Sequence, residues 1–161
     1  ATVNIDPTPE SLAEVAIESA RVARTFDIEP RVAMLSFSNF GSSRHPVVER
    51  VQKAVEILKH REPELKVDGE MQADTAVNPE IAADRFPFSA IQGDANVLIF
   101  PDLQSGNVAY KLLRELGGAE AIGPILMGMR KPVHVLQQGC DVSSIVNVTA
   151  IAVLDAQAQQ T

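Results

Sequence analysis

The sequence predicts an α/β protein, three layers deep, with helices on both faces of a mostly parallel sheet. Two stretches carry that expectation. Residues 96–100, Asn-Val-Leu-Ile-Phe, form a short apolar run of the kind that strands buried on both faces show. After Pro101-Asp102 come Val108, Ala109, Leu112, Leu113 and Leu116 at helical spacing, then Gly117-Gly118, then a second apolar run over 121–127. Strand, helix and strand in that order make a right-handed crossover between parallel strands. The second stretch is the apolar run 31–37, followed by a polar loop and a helix over about 47–59.

Taken in order, residues 1–7 read as a lead-in. Thr8-Pro9-Glu10 is a helix start: a hydroxyl cap, proline at the first helical position and an acid in the first turn. Leu12, Val15, Ala16, Ser19, Val22, Ala23 and Phe26 follow at helical spacing, and Pro30 ends the pattern. The loop Ser38-Asn-Phe-Gly-Ser-Ser-Arg44 leads through His45-Pro46 into a helix whose buried face is Val48, Val51, Val55 and Leu58. Small residues let backbone amides approach an anion, hydroxyls add donors, and the helix start adds partial positive charge. A polar loop that binds nothing gives the same local pattern.

Leu65 to Glu70 reads as a short strand. Residues 71–83 read as helical near both ends, with Pro79 marking a break. Asp68, Glu70 and Asp74 have the spacing of an oxygen-ligand metal site, but a solvated acidic loop is the commoner cause, and no metal site is assigned. Phe86 and Phe88 are expected to close an edge of the core. Residues 132–136 read as an edge strand, with His134 structural and Cys140 a small buried thiol. Asp141 is a plausible cap for a closing helix over 142–157. In all, about five strands are expected, near 31–37, 65–69, 95–100, 121–127 and 132–136. Helices are expected near 8–26, 47–60, 104–117 and 142–157.

The composition suits one domain over residues 1–161. Hydrophobic residues make up 45% and aromatics 4%, so the core must be aliphatic. A net charge of −7 argues against nucleic acid as a partner. The apolar runs are too short to span a bilayer, so no membrane partner is expected. The single cysteine allows no internal disulfide and fits a reducing, cytoplasmic setting.

Residues 99–133, IFPDLQSGNVAYKLLRELGGAEAIGPILMGMRKPV, resemble the late segment of the phosphate acetyl/butyryltransferase family. The likeness runs from about Thr8 to Gln157 and includes the serine- and glycine-rich loop, with Ser38, Gly41, Ser42 and Ser43 in matching positions. It implies two α/β lobes with the active site between them, of which this chain resembles mainly the second lobe plus a helix belonging with the first. It also implies that VDGEMQAD, residues 67–74, is mainly structural. Active members usually show Thr-Lys where this chain has Asn39-Phe40. They also show Ser-Arg-Gly-Cys-Ser-x-x-Asp where this chain has Gln137, Gln138 and Ser144 at the serine, arginine and aspartate positions. That arginine helps hold the acyl phosphate, and the aspartate and serine assist transfer.

Both departures resemble the transferase-like domain at the C-terminus of bacterial NADP-dependent malic enzymes, as does VHVLQQGCDVSSIVNVTAIAVLDAQ, residues 133–157. The implied role is regulatory and assembly-forming, with acetyl-coenzyme A as effector. The malic enzyme catalytic domain would lie in cis and carry NADP and a divalent metal, with no cofactor in this stretch. The competing readings are an active phosphate acyltransferase and a dimerisation module without a ligand. Candidate ligand- or anion-binding residues are Ser38, Asn39, Gly41, Ser42, Ser43 and Arg44, with Lys131, Gln137 and Gln138; no catalytic residue is assigned. The closing helix carries Ile145, Val146, Val148, Ala150, Ile151, Val153 and Leu154. It is expected to be buried against its own sheet or against a second chain in a homodimer.

Overall fold

The computed structural model describes residues 3–158. Residues 1 and 2 of the expected lead-in lie outside the described residues. Contacts divide the chain into two compact units that meet in sequence at Val108/Ala109.

The first unit opens with helix α1 (Pro9–Thr25), capped by the Thr8 hydroxyl, which accepts the Ser11 N–H at 3.2 Å. Its buried face is Leu12, Ala13, Ala16, Ile17 and Ala20. That face is rotated from the expected one, since Phe26 is more than a third exposed and Val15 only borders the core. Strand β1 (Arg31–Leu35) follows, then α2 (Pro46–Arg61), β2 (Lys66–Met71), α3 (Ala73–Val77), α4 (Pro79–Arg85) and β3 (Val97–Ile99). The break at Pro79 falls where expected, with Asn78 capping α4 through its side-chain oxygen.

The three strands form one sheet in the order β2-β1-β3, and both pairings are parallel. Side chains alternate across β1. Val32 and Met34 join Leu12, Ala16, Val51, Leu58 and Ile99 on the α1/α2 side. Ala33 and Leu35 join Met71, Ala76 and Ile91 on the other. The α/β class, with a parallel sheet flanked by helices, therefore holds. Gly69 in β2 has a φ of +143°, and a Cβ there would stand 2.6 Å from the Met34 carbonyl oxygen, so no other residue fits.

Helix α5 (Leu103–Glu115) runs into the second unit, which also contains α6 (Val142–Ala158). Between them, residues 118–136 form neither strand nor helix. The expected strands over 121–127 and 132–136 are not present, and the crossover expected over 95–128 has no second strand. A strand exists only through its ladder, and the described residues of the second unit offer none. Pro124 and Pro132 each remove a donor besides. The closing helix is likewise not buried on a sheet of its own unit: Val148 is buried, while Ile145, Val146, Val153 and Leu154 are exposed.

Candidate functional site: the loop after the central strand

The strand order sets where a ligand would meet this fold. The chain leaves β1 for β2 on one side, then crosses to β3 on the other. Open α/β sheets bind ligands at such a reversal, outside the carboxyl ends of the strands. The segment at that position is 36–45, which carries all six loop residues singled out from sequence.

The loop is tightly tied, and its anchor is Glu70, at 1% exposure near the end of β2. One carboxylate oxygen of Glu70 accepts from the Ser38 hydroxyl at 2.8 Å and from the Gly41 N–H at 2.7 Å. The Glu70 carbonyl accepts the Phe40 N–H at 2.9 Å. Ser38, fully buried, also accepts the Ser43 N–H at 3.1 Å. The Ser42 hydroxyl accepts the Asn39 N–H, and the Ser42 N–H donates to the Asn39 carbonyl, each at 3.0 Å. The Asn39 side-chain oxygen accepts the Gln72 N–H at 2.7 Å. The start of α2 is closed as well, because His45 Nδ1 accepts the Val47 N–H at 3.3 Å. Arg44 is exposed and makes no ion pair among the described residues.

Phe40 departs from the usual backbone regions, with φ +46°. Its ring packs against Phe86 and Phe88, at centroid separations of 5.2 and 5.0 Å. The two later rings were expected to close the core edge. Instead Phe88 is 69% exposed, and the three rings cover one another beside the loop.

The acidic residues have structural partners. Asp68 accepts from Lys59 Nζ at 2.8 Å and from the Ser89 hydroxyl and the Ala90 N–H, each at 2.9 Å. Burial pushes its carboxyl up, but the hydrogen bonds and the Lys59 charge outweigh it and hold the group below its ordinary value. The Asp74 carboxylate accepts the Thr75 N–H. Among the described residues, no cluster of His, Cys, Asp and Glu is arranged to hold a metal ion.

Lys131, Gln137 and Gln138 belong to the second unit and are exposed there. Gln137 opens the turn before α6, its carbonyl accepting the Cys140 N–H at 3.1 Å. Asp141 caps α6 as expected, accepting the Ser144 N–H at 2.7 Å, and that bond holds its carboxyl below the ordinary value. The His134 side chain is 4% exposed, with Nε2 3.5 Å from an Asp155 oxygen. Cys140 is half-buried and free.

A parallel α/β sheet with a hydroxyl- and glycine-rich loop at its point of reversal defines a class of ligand-binding domain. Residues 1–153 match the model of the Phosphate acetyl/butaryl transferase family, and the chain belongs to that family. It is 50% identical over 156 residues to the phosphate acetyltransferase of Clostridium acetobutylicum, covering 96% of this chain and 47% of that protein. It is 46% identical over 159 residues to the NADP-dependent malic enzyme of Escherichia coli, covering 98% of this chain and 21% of that protein. A phosphotransacetylase crystal structure from Streptococcus pyogenes superposes with a TM-score of 0.93 at 48% identity, covering 99% of this chain and 48% of that one. The chain thus spans about half the length of the phosphate acetyltransferases it resembles. Among the described residues, no helix is long and apolar enough to cross a membrane.

Glu70, in β2, is the anchor of the loop that the sequence did not single out for this role. Its spacing from Asp68 and Asp74 is that of an oxygen-ligand metal site, and a solvated acidic loop is the commoner cause of that pattern. The signal that could have found it was the pairing of a buried acid with a loop rich in donors.

Proposed function

We propose that the chain is a non-catalytic, phosphotransacetylase-like regulatory and oligomerisation domain of a cytoplasmic NADP-dependent malic enzyme, binding acetyl-coenzyme A without turning it over. The observation that carries this reading is the use made of Asn39 and Phe40. Active relatives are expected to present Thr-Lys there. In this chain the Asn39 side chain fastens Gln72, and the Phe40 ring makes a tilted contact with Phe86 and an edge contact with Phe88. The pair works as scaffold, and no cation stands at that point of the loop. Gln138, where the arginine is expected, offers a neutral amide in place of a bidentate cation. Ser144, at the aspartate position, is no general base, and its N–H is taken by the cap of α6. Loss of a preorganised cationic clamp costs about 3 kcal/mol of transition-state stabilisation, by analogy with lost oxyanion donors. NADP, the divalent metal and malate belong in this reading to the rest of the parent protein, and homodimerisation to the apolar face of α6.

The competing reading, an active phosphate acyltransferase forming acetyl phosphate and coenzyme A from acetyl-coenzyme A and phosphate, draws on the 50% identity to the Clostridium acetyltransferase. The full-length parent separates the two. The regulatory reading expects saturable acetyl-coenzyme A binding by calorimetry, a change in malate oxidation and no acetyl phosphate. Restoring Gln137→Ser, Gln138→Arg and Ser144→Asp together tests whether those positions block the chemistry. Rapid acetyl phosphate formation by the unmodified parent would put the acyltransferase reading first.

A further inference from the structure

We propose that Glu70 is the positioning residue of the ligand loop: its carboxylate fills the inward-facing anion nest of residues 38–43, so that an external anion meets only the outer face, at the side chains of Asn39, Ser43 and Arg44. The inference rests on the reading above in one respect, that this loop contributes to acetyl-coenzyme A binding.

Consecutive amides in left-handed or mixed conformations form a concavity that receives an anion. Phe40 and Gly41 have φ values of +46° and +84°, and both of their N–H groups end on Glu70, one on its carbonyl and one on its carboxylate. A non-glycine residue persists in that region only where its surroundings over-determine it. Here the double tie to Glu70 and the ring cluster do so. The Ser38 hydroxyl passes the influence across the loop, donating to Glu70 and accepting from the Ser43 N–H. Each N–H donates once, so an amide that faces Glu70 is not available to a phosphate. Of the six loop residues, Asn39, Ser43 and Arg44 keep side-chain donors outside this network, among the described residues. The loop is therefore already an occupied carboxylate site, and its shape is set by an acid 32 positions away in sequence from Ser38.

The test makes Glu70→Ala, Glu70→Asp, Glu70→Gln and Arg44→Gln in this chain for the exchange readout and in the full-length parent for the ligand readout. Amide hydrogen exchange at Gly41 and Ser43 reads the loop, and acetyl-coenzyme A titration reads the ligand. Glu70→Ala should speed Gly41 exchange at least tenfold and weaken acetyl-coenzyme A by a similar factor. Millimolar acetate or formate, entering the vacated nest, should reverse both. Glu70→Gln, whose side-chain oxygen can accept the same two bonds, should stay within about threefold of wild type. Arg44→Gln should weaken the ligand and leave Gly41 exchange unchanged. Should Glu70→Ala fail to fold, Glu70→Asp, one methylene short, carries the test through the same exchange and acetate readouts. Wild-type Gly41 exchange in the folded Ala or Asp variant, or no response to acetate, overturns the proposal. If the full-length parent binds no acetyl-coenzyme A while Gly41 still follows Glu70 and acetate, the effector reading falls and the positioning role stands.

Discussion

Residues 3–108 bury aliphatic side chains on both faces of a three-stranded sheet, whereas among residues 109–158 Val148 is the one fully buried apolar side chain described. The sequence patterns of the two regions are alike. Both alternate short apolar runs with helices that carry leucine and valine at helical spacing. In the first unit Val48, Val51 and Leu58 of α2 sit at 0–1% exposure. In the second, Leu112, Leu113 and Leu116 around the end of α5 sit at 51%, 58% and 82%. Apolar periodicity thus records what a segment is able to bury. It does not record whether the same unit supplies the surface that buries it.

Truncation of a leucine in each region tests that difference most directly, starting with the largest effect. Leu58→Ala should lower unfolding free energy by about 2–5 kcal/mol, because the close-packed α2 site leaves a cavity. Urea unfolding at pH 7 measures it. A loss below about 1 kcal/mol would mean that the first unit is packed no better than the second.

Asp68→Asn ranks next, at about 1–3 kcal/mol at pH 7, since it removes the charge that Lys59, Ser89 and the Ala90 N–H satisfy. The folded-state value is depressed, so the group's contribution is present in full above its ordinary value of 3.8 and is lost as pH falls through the lower folded value. Wild-type stability should therefore drop below about pH 4, and the variant should show a shallower slope there. Equal slopes would remove Asp68 from the account.

Thr8→Ala should cost about 1 kcal/mol through the lost cap of α1. The smallest effect belongs to Leu113→Ala, within about 0.5 kcal/mol at dilute concentration. A loss near that of Leu58→Ala would show that the second unit covers this face in solution, and the contrast between the units would close.

Local chemistry was readable. Thr8-Pro9, Pro79 and Asp141 mark helix starts because a cap and its target lie two or three residues apart. The aliphatic face of α2 was readable for the same reason. What was not readable is non-local. The runs 121–127 and 132–136 have strand composition, yet a strand needs a neighbour that no local pattern names. Within the site, Ser38, Gly41 and Ser43 were recognised as donors to an anion. That the anion in this fold is Glu70 follows from a pairing across β1 and β2, which spacing along the chain does not disclose.

The ring cluster beside the loop bears on how the family's members could interconvert. Aromatic pairs at these separations contribute about 0.5–1.5 kcal/mol each beyond their burial. Replacing Phe40 by lysine would forfeit two such pairs at once, offset in part wherever the ammonium met a ring face. Positions 40, 86 and 88 are therefore coupled, and the effects of substitutions there should not add. A lineage that had filled this corner with phenylalanine would be held there by its neighbours, whatever selection later acted on the loop itself.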